Sequence, residues 1–138
     1  MGVGVAQPSP WVWHDVHQQT VSASTWAHHW VFIHYWAAWC HVCASEVPAF
    51  NAFFAAHQKQ GVLVYGVNYD GWTGNALRQA VVRMGITYPV LQEDPGIAFA
   101  FQDANVLPET FVINPAGKVV ARLVGPQTEA SLAAAMKE

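Results

Sequence analysis

The chain has 138 residues, enough for one ordinary domain and too few for two. Hydrophobic residues make up 53% and charged residues 11%, which excludes a disordered chain and demands a core with some segments buried on both faces. A net charge of −3 with six Lys+Arg leaves no basic footprint for a phosphate backbone, so no nucleic-acid partner is expected.

Residues 1–10 contain Gly and Pro and read as a flexible N-terminus, leaving 11–138 as a single domain. Residues 11–14 and 20–22 read as short strands around a turn at 17–19, and 24–27 as one helical turn. The run 30–36 is β-branched and aromatic almost throughout, as a central strand covered on both faces would be. A helix is expected over 42–58, where Val47, Phe50 and Phe54 recur at helical spacing and Phe53 and Ala55 widen the stripe. Gly61 is its stop. A second buried strand follows at 62–68, then a helix over 76–84 closed by Gly85. Residues 87–91 read as extended and 97–101 as a short helical piece. Strands at 111–114 and 118–124 flank a Pro115-Ala116-Gly117 turn, and 128–136 reads as a closing helix with Thr128 as cap. Strands alternating with helices imply an α/β fold with a parallel core, and the late hairpin adds antiparallel strands at one side. Seven Trp and seven Phe point to aromatic packing or to an apolar contact surface. No run is long and apolar enough to span a membrane, and the first residues lack the basic and apolar regions of a signal peptide.

The chemistry concentrates in Trp36-Ala37-Ala38-Trp39-Cys40-His41-Val42-Cys43. Cys40 and Cys43 are the two cysteines of the chain. One CxxC cannot supply four structural zinc ligands, and the loop it closes is too small to restrain the unfolded chain much. A reactive dithiol is the better reading. It lies where a buried strand gives way to a helix, so open N–H groups and the positive helix end favour a thiolate at Cys40. Cys40 is the candidate nucleophile and Cys43, one turn into the helix, the resolving thiol.

This segment resembles the active site of the thioredoxin-like TlpA/ResA/DsbE (CcmG) group of thiol–disulfide oxidoreductases. WAAWCHVC matches its WAxWCxxC, and Cys43-Ala44-Ser45-Glu46-Val47-Pro48 its CxxExP continuation. Leu107-Pro108-Glu109-Thr110-Phe111 matches the loop bearing the group's cis-proline, with PETF most like DsbE, and Gly66-Val67-Asn68-Tyr69-Asp70 matches a strand end. The resemblance implies a central mixed β-sheet flanked by helices, with N-terminal extension strands and a TlpA-type helical insertion between Trp72 and Asn105. It implies Cys40, Cys43, Glu46 and Pro108 as catalytic residues, and Trp39, His41, Leu107 and Glu109 around the substrate. Leu107, preceding a cis-proline, would offer its backbone to an extended substrate. Glu46 would be an active-site acid on the Cys43 face of the helix, although a solvated helix-face glutamate has the same spacing.

His34 stands six residues before Cys40, where thioredoxins proper carry a buried aspartate and TlpA-like proteins a neutral residue. It is a candidate proton relay, and a hydrogen-bonded core histidine fits the position equally. His41, if protonated, would favour the thiolate and a more oxidising couple, whereas an ionised Glu46 would push the other way. The remaining histidines show no ligand spacing, so no metal site is expected, and no cofactor beyond the Cys40–Cys43 disulfide. By resemblance, the protein would be periplasmic or otherwise extracytoplasmic, with a membrane anchor in its full-length form; a monomer is expected. It would reduce the CxxC pair of apocytochrome c, with electrons from a membrane thiol donor of the DsbD or CcdA type. Departure from a Gly-containing stretch at Asp103-Ala104-Asn105-Val106-Leu107 leaves open a TlpA-like reductase or oxidant without cytochrome specificity. A copper chaperone would need a wider CxxxC with a distal histidine, and a peroxiredoxin a PxxxTxxC motif; neither is present.

Overall fold

A computed structural model describes residues 11–101 and 106–137; the expectation for residues 1–10 lies outside the described residues, as do residues 103–105. In chain order the elements are β1 (Val12–His14), β2 (Thr20–Ser22), β3 (Val31–Trp36), α1 (His41–His57), β4 (Leu63–Asn68), α2 (Gly74–Met84), β5 (Val90–Leu91), α3 (Gly96–Phe99), β6 (Glu109–Ile113), β7 (Val119–Val124) and α4 (Glu129–Ala134). Five strands form one mixed sheet in the order β5-β4-β3-β6-β7, while β1 and β2 pair separately. β4 runs parallel to both β3 and β5, and β6 runs antiparallel to β3 and β7. This is the thioredoxin-like arrangement: a parallel core with an antiparallel hairpin on one side.

β3 is the centre of this sheet and every one of its residues is buried. Its side chains alternate between two cores, as the strand repeat requires. Phe32 and Trp36 face a core shared with Phe50 and Phe53 of α1, Leu77 of α2, Leu132 of α4 and both cysteines. Val31, Ile33 and Tyr35 face the opposite core, closed by the N-terminal hairpin and α3. Aromatic stacking holds that second layer: Trp26 lies 4.8 Å from Trp13, 5.1 Å from Tyr65 and 5.6 Å from Phe99, ring centre to ring centre. The N-terminal strands thus cover one face of the sheet and also meet its edge, where Asp15 bridges to Leu91 of β5.

Boundaries move where tertiary pairing decides them. β6 begins at Glu109, two residues earlier than its local pattern suggests, because its pairing with β3 continues to Tyr35. α1 contains Pro48 and gives way at Gln58 to a short 3-10 turn ending at Gly61. Gly85 closes α2 at φ +73°, where its N–H reaches the carbonyls of Val81 and Val82. α4 opens with reciprocal hydrogen bonds between Thr128 and Ser131, a capping box.

Gly66 in β4 makes room for the side chains above it. A Cβ at that position would lie 3.0 Å from Trp36 Nε1, 3.1 Å from Tyr88 Cε1 and 3.1 Å from Val90 Cγ2. All three belong to buried residues that cannot yield together. Gly66→Ala should therefore destabilise the fold by about 1–3 kcal/mol. Urea unfolding checks this, and an unchanged midpoint would contradict the packing argument.

Candidate active site

The disulfide sits on the turn between β3 and α1. Cys40 occupies the N-cap of α1, and its Sγ accepts the Cys43 N–H at 3.1 Å. Cys40 and Cys43 are joined in a disulfide, their Cα atoms 5.2 Å apart. Cys40 is 8% exposed and Cys43 fully buried, so an incoming sulfur reaches Cys40 first. His41, the first residue of α1, points to solvent beside it.

Two segments frame that sulfur. Trp39 is 61% exposed; its Nε1 donates to Asp70 Oδ2 at 2.8 Å and its ring meets the edge of Tyr69. On the other side the Leu107–Pro108 peptide is cis, the geometry that the PETF loop implies. Leu107 is half-buried and packs on the core that contains both cysteines. Pro108 lies one step beyond the last β3–β6 pair, Tyr35 with Glu109, which brings this loop to the disulfide end of β3.

Beneath the disulfide lies a buried polar chain. His34 shares its face of β3 with Phe32 and Trp36 and so points toward α1. Its Nε2 is 2.7 Å from Glu46 Oε1, and its Nδ1 is 2.6 Å from the Tyr88 hydroxyl. The imidazole stacks on Phe50 with ring centres 4.1 Å apart. Glu46 Oε2 accepts the backbone N–H of Gln127, at the entry to α4, at 2.8 Å. His34 and Glu46 are both buried, and Glu46 follows Cys43 by three residues on the inward face of α1. The solvated helix-face reading of Glu46 is thereby removed.

The structure thus brings together Cys40, Cys43, Glu46, Leu107, Pro108 and His34, with Trp39 and His41 on the rim. Glu109 stands apart. It is fully buried, pairs with Arg122 of β7, and shares the sheet face of Tyr35 and Phe111, opposite the disulfide. Its side chain offers a substrate no surface, because strand alternation turns it away from Pro108's side. Two participants escape the sequence reading. Tyr88 reaches His34 from 54 positions away, and Gln127 contributes through its backbone, which no side-chain pattern marks. Among the described residues there is no cluster of metal-ligating side chains.

Comparison with known proteins agrees with this geometry. A profile of the AhpC/TSA family matches residues 6–122. The chain belongs to the AhpC/TSA family. Within it, the chain is 32% identical over 102 residues to the thiol-disulfide oxidoreductase ResA of Bacillus subtilis, covering 74% of this chain and 56% of ResA. ResA of Bacillus thuringiensis is 29% identical over 78% of this chain and 62% of the relative, so the chain spans somewhat more than half the length of these proteins. Among solved structures, a thioredoxin-family thiol:disulfide interchange protein from Chlorobium tepidum superposes with a TM-score of 0.78 at 24% identity, covering 94% of each chain. StoA from Bacillus subtilis superposes at 0.74 and 21% identity over 94% of this chain and 98% of StoA. At these identities the superpositions establish the shared thioredoxin-like fold.

Tyr88 carries a pH signature. Burial first, and then the charge on Glu46, raise its phenol well above the ordinary 10.0. The unfolded chain releases that proton near its ordinary value while the folded chain keeps it. The stability involved is present below that value and lost as pH climbs through and beyond it. Tyr88→Phe should therefore weaken the alkaline loss of stability above about pH 10. Urea midpoints between about pH 8 and pH 11 check this, and parallel decline in parent and variant would contradict it.

Proposed function

We propose that this chain is a thiol–disulfide oxidoreductase that reduces protein disulfides through Cys40 and Cys43. The observation that carries the reading is the bonded Cys40–Cys43 pair at the opening of α1, with Cys40 the more accessible of the two sulfurs and a buried carboxylate one turn beyond Cys43. Similarity to the ResA proteins supports the same reaction class.

The reduced chain begins with two thiols. The Cys40 thiolate, stabilised by the Cys43 N–H and the open helix end, attacks one sulfur of the substrate disulfide and expels the other as a thiolate. Glu46 takes the Cys43 proton. The Cys43 thiolate then attacks Cys40 Sγ, closes the Cys40–Cys43 bond and releases the second substrate sulfur. Two electrons pass from the dithiol to the substrate, and an external dithiol restores the reduced chain.

The same environment sets the direction. A buried carboxylate next to Cys43 disfavours thiolate charge in the reduced state, whereas His41 acts from solvent, where screening weakens it. Glu46 therefore outweighs His41, and the couple works as a reductant. Trp39, His41 and the Leu107 backbone present the surface on which an extended polypeptide lies. The CxxC pair of apocytochrome c is the substrate we assign, in an extracytoplasmic compartment where disulfides form, with a membrane thiol donor of the DsbD or CcdA type supplying electrons. No helix among the described residues is long and apolar enough to cross a membrane.

Cys40→Ala should abolish disulfide reduction, and Cys43→Ala should accumulate a mixed disulfide with substrate, seen by mass spectrometry. Turnover by either variant at the parental rate would sink the mechanism. Competition between an oxidised CxxCH peptide and an unrelated disulfide peptide tests the substrate. Preference for the CxxCH peptide is expected, and equal reduction of both would remove the cytochrome assignment.

A further inference from the structure

The hydrogen positions along Tyr88, His34 and Glu46 follow from donor and acceptor arithmetic. The Tyr88 hydroxyl is buried, and His34 Nδ1 is its one hydrogen-bond partner among the described residues. Burial and the Glu46 charge keep this phenol protonated, so it has one hydrogen to donate. A protonated Nδ1, whether in a neutral ring or an imidazolium, would leave that O–H without an acceptor in the core. An orphaned buried donor of this kind is strongly disfavoured. Nδ1 is therefore the acceptor, and a neutral ring then carries its proton on Nε2, which donates to Glu46 Oε1. With Gln127 N–H donating to Oε2, both oxygens of Glu46 accept and neither needs a proton of its own.

Among the described residues, no other titratable side chain bonds to this polar chain. Thr110 of β6 is the register partner of His34, Gly66 of β4 is its partner on the other side, and Phe50 covers the ring from α1. Cys43 and Cys40 share the core, held in their disulfide. Glu109 and Arg122 are on the opposite face of the sheet.

We propose that Tyr88 and His34 are positioning residues for the disulfide centre: Tyr88 locks the imidazole as its Nε2–H tautomer, which holds Glu46 as the carboxylate that accepts the Cys43 proton. This rests on the oxidoreductase reading for the proton step alone. When the Cys43 thiol gives its proton to Glu46, the thiolate forms and the carboxylate becomes an acid, with His34 and Gln127 still donating to it. Without the Tyr88 hydroxyl, Nδ1 loses its partner in either tautomer, so the preference for a bare Nδ1 is lost and the Nδ1–H form competes. In that form Nε2 becomes an acceptor, and Glu46 must hold a proton to satisfy it.

The test has two arms on the full chain. Long-range proton–nitrogen correlation on the oxidised, 15N-labelled protein reads the His34 tautomer directly and needs no substrate, so it stands whether or not the chain reduces disulfides. The parent should show a bare Nδ1 and a protonated Nε2, with Tyr88→Phe gaining the Nδ1–H form; a protonated Nδ1 in the parent overturns the proposal. The second arm follows release of a peptide from its mixed disulfide with Cys40 across pH. Tyr88→Phe should slow release roughly tenfold near neutral pH and move its rise to higher pH, a part of what general base catalysis contributes. In a Glu46→Gln background the same substitution should change nothing. Equal slowing in both backgrounds would show that Tyr88 only supports packing and would overturn the proposal.

Discussion

The hydrogen bond between His34 of β3 and Glu46 of α1 ties the central strand to the helix that carries the redox pair. It crosses a core that is otherwise apolar, formed by Phe32, Trp36, Phe50, Phe53 and Leu77. A lone carboxylate in such surroundings would be too costly to keep. Tyr88 on one side and the Gln127 N–H on the other complete the partners, so the polar chain is closed at both ends. Removing one member would strand the others, a loss of about 3–5 kcal/mol if a buried charge is left unpaired. That closure fixes the rotation of α1 against the sheet, and with it the placement of Cys40 and Cys43.

The fold divides its labour between the two faces of β3. Packing on the far face is mostly aromatic and aliphatic, with the Trp13–Trp26–Tyr65 stack under the N-terminal hairpin and the buried Glu109 paired with Arg122. That layer supplies stability without touching the chemistry. The near face combines packing with a buried polar chain and a reactive bond. Exposure follows the same division: Cys40, Trp39 and His41 meet solvent, while Cys43, Glu46 and His34 stay below.

Much of this was legible in the sequence because the signals are local. The CxxC at a strand-to-helix junction, the β-branched and aromatic run of β3 and the glycine stops each depend on neighbouring residues. The resemblance carried Pro108 and Glu46. What was not legible depends on which face a side chain takes and what meets it there. His34 read equally as relay or core residue until Glu46 and Tyr88 appeared at its two nitrogens. Glu109 follows Pro108 in the chain and so reads with the substrate, yet a step of one residue along a strand reverses the face, where Arg122 pairs with it. Tyr88 sits at a bend in the loop between α2 and β5, with no motif around it. Only the close approach allowed by Gly66 brings its ring into that core.

In the proposed reaction the dithiol is made reducing by the buried carboxylate one turn beyond Cys43. The most direct measurement is the equilibrium reduction potential of Cys40–Cys43, taken in thiol buffers and read through the fluorescence of the neighbouring tryptophans. A reversible two-electron couple at about −200 mV or lower is predicted, toward the reductive end of the thioredoxin-like scale. A value near about −120 mV would mark a disulfide donor and contradict the account, because Glu46 would then not be setting the charge of the site.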